Sequence, residues 1–426
     1  MISEYKSLSK EELTALRDAL ETEYREFQAL ELNLNMARGK PSTEQLDLSL
    51  EMLDGLNSES CFFSSTGDDC RNYGLVDGLP EMRAFFGELM GVPASNVVVG
   101  GNSSLNMMFD TVSCAFVSGL DGCKPWSQQP VKFLCPSPGY DRHFAICEYF
   151  GIEMITVPML STGPDMDEVE RLVAADESIK GIWCVPKYSN PTGVTFSDET
   201  VRRFANLKPK AKDFKIFWDN AYCVHELTDT PEVLLNLYTE CEKNGTTDLL
   251  VTFCSTSKIT FPGSGVAAMA ASDNTLKSFR RHLSFQTIGP DKINQLRHIR
   301  YFKRVEGLKE HMEKHRAVLA PRFEVVLKKL NQELTGLGIA EWSNPKGGYF
   351  VSVDVLPGCA KRVVQLCKEG GVILTGAGAT FPYKKDPQDS NIRLAPSYPP
   401  VIELKEAMEL FCICIKLAAV EKLLSE

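Results

Sequence analysis

Between residues 97 and 271 the apolar positions fall in short runs separated by longer amphipathic stretches. The runs are Val97–Val99, Val131–Leu134, Met154–Val157, Gly181–Val185, Lys215–Trp218, Leu249–Phe253 and Val266–Ala271. Runs this short and this apolar predict strands buried on both faces, as in a parallel sheet. Helix starts lie between them: Asp165 before Met166–Ala175, Ser197 before Asp198–Leu207, and a Gly/Ser turn before Leu105–Phe116. The alternation predicts an α/β fold, a mostly parallel central sheet wrapped by crossover helices.

Outside that block the rhythm is helical. Ser9-x-x-Glu12 is a capping box opening a helix to about Leu30. An extended segment follows, ending in Arg38-Gly39-Lys40-Pro41, a turn suited equally to an anion or to plain solvent. A further helix is expected near Pro80–Met90. After residue 290 come a long helix over Val305–Leu334, a hairpin-like turn at Trp342–Tyr349, a strand from Phe350 to Val353, and a last helix from about Ile402 to Leu424. This change of pattern predicts a second, smaller α+β domain.

Composition narrows the class. With 43% hydrophobic and 24% charged residues the chain is an ordinary globular protein. A net charge of -10 without any basic block argues against nucleic-acid binding. No apolar run reaches the length of a membrane span, and Met1–Lys6 lacks the apolar core of a signal peptide, so a cytoplasmic location is expected. The 14 cysteines are scattered through apolar runs, with no CxxC pair and no Cys/His cluster at zinc spacing. They read as reduced core residues, and no metal site is expected.

In open parallel sheets ligands collect at the carboxyl ends of the strands. Leu249–Phe253 runs on into Cys254-Ser255-Thr256-Ser257-Lys258 and then Pro262-Gly263. A lysine at the end of a buried strand is costly to desolvate, which lowers its pKa and makes a Schiff-base nucleophile; the alternative is an amine that snorkels to the surface. Lys215–Trp218 ends in Asp219-Asn220-Ala221-Tyr222, a carboxylate that needs a cation or donors to stay ionised. Val97–Val99 ends in Gly100-Gly101-Asn102-Ser103-Ser104, a helix start that is a phosphate cradle or simply a capped turn. Phe133-Leu134-Cys135 leads to Tyr140, able to stack on a planar ring or to pack in the core, and His143 sits one helical turn on. Gly181–Val185 leads to Asn190-Pro191-Thr192-Gly193. Together, a strand-end Lys, a strand-end Asp and a phosphate cradle are what pyridoxal phosphate requires.

With these motifs the chain resembles the class I, fold-type I aminotransferases from Leu34 to about Ser397, and within them a bacterial aspartate-aminotransferase subgroup called type Ic. The matching positions, in family order, are Gly39, Tyr73, Asn102-Ser103-Ser104, Tyr140, Asn190–Gly193, Asp219–Tyr222, Ser255–Lys258 and Asn391-Ile392-Arg393. The resemblance implies residues 56–305 as the large cofactor-binding domain, with 1–55 and 306–426 forming the small domain from both chain ends. It departs at one place: Gly263-Ser264-Gly265-Val266-Ala267 lacks the arginine that most of the family pairs with the cofactor phosphate.

What the resemblance implies for function is a ping-pong transfer of an amino group between an L-amino acid, aspartate or glutamate foremost, and a 2-oxo acid. Lys258 carries the cofactor and moves the proton; Asp219, oriented by His143, holds the ring nitrogen. Tyr222 and Asn190 bond the phenolic oxygen, and Tyr140 stacks on the ring. Asn102, Ser103, Ser104, Ser255 and Ser257 serve the phosphate, joined by Tyr73 from a partner chain in a homodimer. Gly39, Asn190 and Arg393 meet the substrate carboxylate. For a distal carboxylate, Arg38, Arg142, Lys187 and an arginine contributed by a partner chain, Arg280, Arg281 or Arg297, stand as unranked candidates. The same fold hosts β-lyases and decarboxylases, and a non-catalytic cofactor or amino-acid sensor is the reading from another class.

Overall fold

The structure, a computed structural model, describes residues 4–426. Its strands are β1 Leu34–Asn35, β2 Val97–Val99, β3 Lys132–Ser137, β4 Glu153–Leu160, β5 Gly163–Pro164, β6 Ile179–Cys184 and β7 Lys215–Asp219. The rest are β8 Leu250–Ser255, β9 Ala267–Ala271, β10 Ala340–Trp342, β11 Val351–Val355, β12 Val372–Ile373 and β13 Asn391–Leu394. The eight-stranded sheet has the order β2-β9-β8-β7-β6-β3-β4-β5.

Pairing is parallel from β4 through β3, β6 and β7 to β8, which is the mostly parallel sheet expected. The pairs β8–β9 and β9–β2 are antiparallel. The reason lies in the connection: residues 256–266 hold no crossover helix, so the strand after them returns alongside β8 in the opposite sense. All residues of β6, β7, β8 and β9 are buried, as their unbroken apolar runs require.

The helices start where local chemistry provides a cap. Ser9 and Glu12 form a reciprocal capping box ahead of Lys10–Gln28. Asp165 accepts from the N–H groups of Asp167 and Glu168, and Ser197 from that of Thr200. The long helix Val305–Leu334 runs straight through its expected span, with Pro321 inside it.

The two chain ends share one core. Leu13, Leu20 and Tyr24 pack with Phe323, Val326, Val353, Leu404, Phe411 and Ile415, and β1 pairs in parallel with β12. The same cluster takes in Tyr188 and Tyr222, so this core abuts the ends of β6 and β7. All 14 cysteines are free, most of them buried. Among the described residues no helix is long and apolar enough to cross a membrane, and no group of three or more His, Cys, Asp or Glu side chains is placed to hold a metal.

Candidate active site

Five strand ends meet at a cavity of about 170 Å³. β2 contributes Ser103 and Ser104, where the helix Ser104–Ser118 begins with Ser103 as its cap. β3 contributes Tyr140, the residue immediately before the helix Asp141–Phe150. The segment after β6 contributes Asn190, β7 ends in Asp219 with Tyr222 close behind, and β8 ends in Ser255, followed by Ser257 and Lys258. A larger cavity of about 690 Å³ lies beside Trp218 and Asn220, the chain neighbours of Asp219, but neither Asp219 nor Lys258 lines it.

Asp219 is 2% exposed. Its Oδ2 lies 3.1 Å from Nε2 of the buried His143, whose ring stacks on Trp183 with centroids 4.6 Å apart at 14°. Oδ1 of Asp219 is buried without a hydrogen-bond partner among the described residues. A buried carboxylate oxygen calls for a donor, and a protonated pyridine nitrogen is one. Tyr222 is buried under similar conditions, and desolvation together with the nearby Asp219 raises its hydroxyl pKa. Burial pushes the Tyr140 hydroxyl up to about 12. Both phenols are therefore neutral and able to donate near pH 7.

Lys258 Nζ sits 4.7 Å from the centre of the Tyr222 ring. At the other end of the cavity the Oγ atoms of Ser255 and Ser257 are 3.1 Å apart, facing the helix start at Ser103 and Ser104. Hydroxyls and helix N–H groups make an anion cradle of the kind a phosphate ester fits. Asn102 is placed differently from its neighbours: its carbonyl accepts from Ser257 Oγ at 3.0 Å, while its side chain turns toward the Pro262 carbonyl, outside this cavity. Beside the loop that lacks the arginine, Arg297 donates to Ser264 Oγ at 2.9 Å and to Asn294 Oδ1 at 2.6 Å.

Arg393, on β13, is 6% exposed and points at Asn190. Its Nη1 donates to Asp141 Oδ1 at 2.8 Å and to Asn190 Oδ1 at 3.2 Å. Nη2 reaches only Thr375 Oγ1, at 3.4 Å, and Nε has no partner among the described residues. The Nε–Nη2 edge is thus the side of the fork open to a carboxylate. Phe350 lies 4.9 Å from the guanidinium carbon, and a Cβ on Gly39 would stand 2.5 Å from that ring. A side chain at this position would have to displace the tip of the Phe350 ring.

Tyr73 stands apart, 79% exposed and outside the cavity wall. Of the cations considered for a distal carboxylate, Lys187 is buried against Glu226 at 2.6 Å and Arg280 pairs with Asp77 at 2.9 Å. Arg38 and Arg142 are exposed and form no ion pair among the described residues. Sequence reasoning missed Asp141, Thr375, Trp183 and Phe350. None carries a motif, and Asp141 meets Arg393 across 252 positions of chain.

The family of aspartate amino-transferases matches residues 8–426. An aspartate aminotransferase of Corynebacterium glutamicum is 45% identical over 413 residues, covering 96% of this chain and 95% of that one. A crystal structure of an aspartate transaminase from the same organism superposes with a TM-score of 0.95 at 44% identity, over 98% of this chain and 99% of the other. An α-aminoadipate aminotransferase from Thermus thermophilus, solved with N-(5'-phosphopyridoxyl)-L-leucine, shares the fold at 21% identity with a TM-score of 0.74, covering 92% and 93%. Strand-end lysine, strand-end aspartate and serine-lined helix start fit pyridoxal phosphate, the cofactor of these enzymes. The chain belongs to the aspartate aminotransferase family, pyridoxal-phosphate enzymes that move an amino group between an amino acid and a 2-oxo acid.

Proposed function

We propose that this enzyme transaminates an acidic amino acid, aspartate or glutamate, at the cavity between Lys258 and Arg393. The observation that carries the reading is the convergence of Lys258 and the unpartnered Asp219 Oδ1 on one cavity whose far end is the Ser103–Ser104 helix start. The name of the Corynebacterium glutamicum relatives supports the acidic substrate.

Pyridoxal phosphate, when bound, supplies the electron sink that makes the proton at the substrate Cα acidic. Around it each side chain has one task. Lys258 Nζ holds the cofactor and then acts as base and acid for the Cα proton. Asp219 Oδ1 accepts the ring N–H, and His143 orients that carboxylate from Oδ2. Tyr140 covers the ring face. Tyr222 and Asn190 donate to the phenolic oxygen. Ser103, Ser104, Ser255 and Ser257 take the phosphate, with Asn102 bracing Ser257 through its carbonyl. Arg393 binds the α-carboxylate along its Nε–Nη2 edge, over the floor that Phe350 and Gly39 make. Arg38, Arg142 and Arg281, exposed and without an ion pair among the described residues, are offered for the distal carboxylate.

The working unit is a homodimer in which Tyr73 reaches the phosphate of the second subunit. Exposed Tyr73, Phe285 and Ile288 support such an interface, being 79%, 83% and 62% accessible in the single chain. The domain division is 56–305 for the large domain, with 1–55 and 306–426 forming the small one, and the enzyme works in the cytoplasm.

The test is the absorption spectrum of the purified protein. A cofactor band that aspartate bleaches and 2-oxoglutarate restores supports the reading. Release of ammonia or pyruvate instead would assign a lyase, and a protein without any cofactor band would be a sensor.

A further inference from the structure

Behind Lys258, on the side away from the cavity, lies a buried chain of polar groups that the reaction does not touch. It begins with a local motif. Ser42-x-x-Gln45 is a second capping box: the Ser42 N–H donates to Gln45 Oε1 at 3.1 Å, and the Gln45 N–H to Ser42 Oγ at 3.4 Å. This fixes which end of the Gln45 amide is which. Nε2 must face inward, where it lies 2.8 Å from the Tyr349 hydroxyl and 3.1 Å from His315 Nδ1. Gln45, His315 and Tyr349 are all 0% exposed.

The orientation then propagates. Burial lowers the His315 pKa to about 3, so the ring is neutral and Nδ1 accepts one amide hydrogen. The Tyr349 oxygen accepts the other, which leaves its own proton for the carbonyl oxygen of Lys258, 3.4 Å away. The Tyr349 ring also stacks with that of Tyr222, at 6.0 Å and 25°, and Lys258 Nζ lies 5.7 Å and 4.7 Å from the two ring centres. Both faces favour a cationic nitrogen. On the opposite flank, His298 Nε2 lies 3.2 Å and 2.9 Å from the hydroxyls of Thr256 and Thr260, so the turn that carries the lysine is gripped from two sides.

We propose that Tyr349 and Gln45 are positioning residues for the Lys258 amine: Gln45 aims the Tyr349 hydroxyl at the Lys258 carbonyl, and the Tyr349 ring steadies the amine. Neither residue lines the cavity; Gln45 acts through Tyr349, and Tyr349 through Lys258 and the Tyr222 ring it stacks on. The inference rests on Lys258 being the residue that carries the cofactor.

The test uses the holoenzyme. Tyr349→Phe keeps the ring and removes the hydroxyl. Losing one hydrogen bond of about 1 kcal/mol corresponds to a fall in kcat of roughly fivefold to tenfold, with the amino-acid KM changed by less than about twofold. The pH midpoint of the cofactor absorbance falls as well, because a looser lysine leaves the two ring faces. Tyr349→Leu, which removes the ring too, lowers that midpoint further. Gln45→Leu reproduces the Tyr349→Phe effect, and the double variant is no worse than the poorer single one. An unchanged kcat and midpoint in Tyr349→Phe overturns the proposal, as do losses that add in the double variant. A Lys258→Ala protein that keeps the wild-type absorbance midpoint removes the underlying reading instead, whatever Tyr349 does.

Discussion

His143 Nε2 and Asp219 Oδ2 meet at 3.1 Å with both side chains nearly inaccessible, and only one oxygen of the carboxylate is used by that contact. The second oxygen has no partner among the described residues and is the one proposed to accept from the ring nitrogen. Removing a partner from a buried charged pair costs on the order of 3 kcal/mol, so Asp219→Ala is expected to lower kcat by about a hundredfold or more. His143→Ala, which only loosens the carboxylate, is expected to lower it by about tenfold. Steady-state rates on both variants check the order, and a His143 variant as inactive as the Asp219 variant contradicts it.

Lys258→Ala is expected to abolish turnover together with the absorbance of covalently held cofactor. Transamination surviving in that variant would sink the mechanism.

Arg393→Lys keeps the charge and loses the fork. A bidentate carboxylate pair surrenders its second charged hydrogen bond, about 1.5–3 kcal/mol. The expected result is a fall in kcat/KM of roughly tenfold to a hundredfold, carried mainly by KM. A change confined to kcat would place the carboxylate elsewhere.

Gly39→Ala would drive a Cβ to within 2.5 Å of Phe350, the ring beneath Arg393. Overpacking of this kind costs about 1–3 kcal/mol and is expected to raise KM several-fold. Gly376→Ala meets nothing within 4 Å and serves as the control. Equal behaviour of the two variants argues against close approach as the reason for Gly39.

The buried histidines give the stability a pH dependence of known sign. Burial holds His298 at about 4 and His315 at about 3, both below the 6.5 of an unfolded chain. Above pH 6.5 both states carry neutral rings and nothing is lost. Below it the unfolded chain takes up protons that the native rings refuse, so stability falls from pH 6.5 down to about 4 for His298 and about 3 for His315. The unfolding temperature is expected to drop across this window, and His315→Gln to flatten the drop. A variant as pH-sensitive as the parent would show that other groups dominate.

Sequence alone carried the parts of the site that sit at strand ends. Lys258, Asp219, Tyr140 and Asn190 each follow an apolar run, and the parallel sheet delivers all such ends to one edge. What it hid are contacts made by chain closure. Asp141 and Arg393, or Gln45 and Tyr349, lie 252 and 304 positions apart, so no periodicity relates them. The antiparallel sense of β9 was hidden for another reason. Its apolar run reads like its parallel neighbours, and only the lack of a helix in residues 256–266 distinguishes it. The Ser42–Gln45 capping box was visible in principle, but nothing local said that its glutamine would be spent on a tyrosine from β11's approach.

That same short connection from β8 to β9 decides which part of the site can move. Ser255 pairs with Ala267 across the base of the loop, so the segment bearing Lys258 is clamped at both ends by adjacent ladder strands. The amine therefore belongs to the stationary half of the machine, indexed to the sheet as a tooth is to its gear. Any motion that admits a substrate or lets a product go must be made by the facing wall, where Arg393 hangs on β13 beside the irregular stretch 375–390.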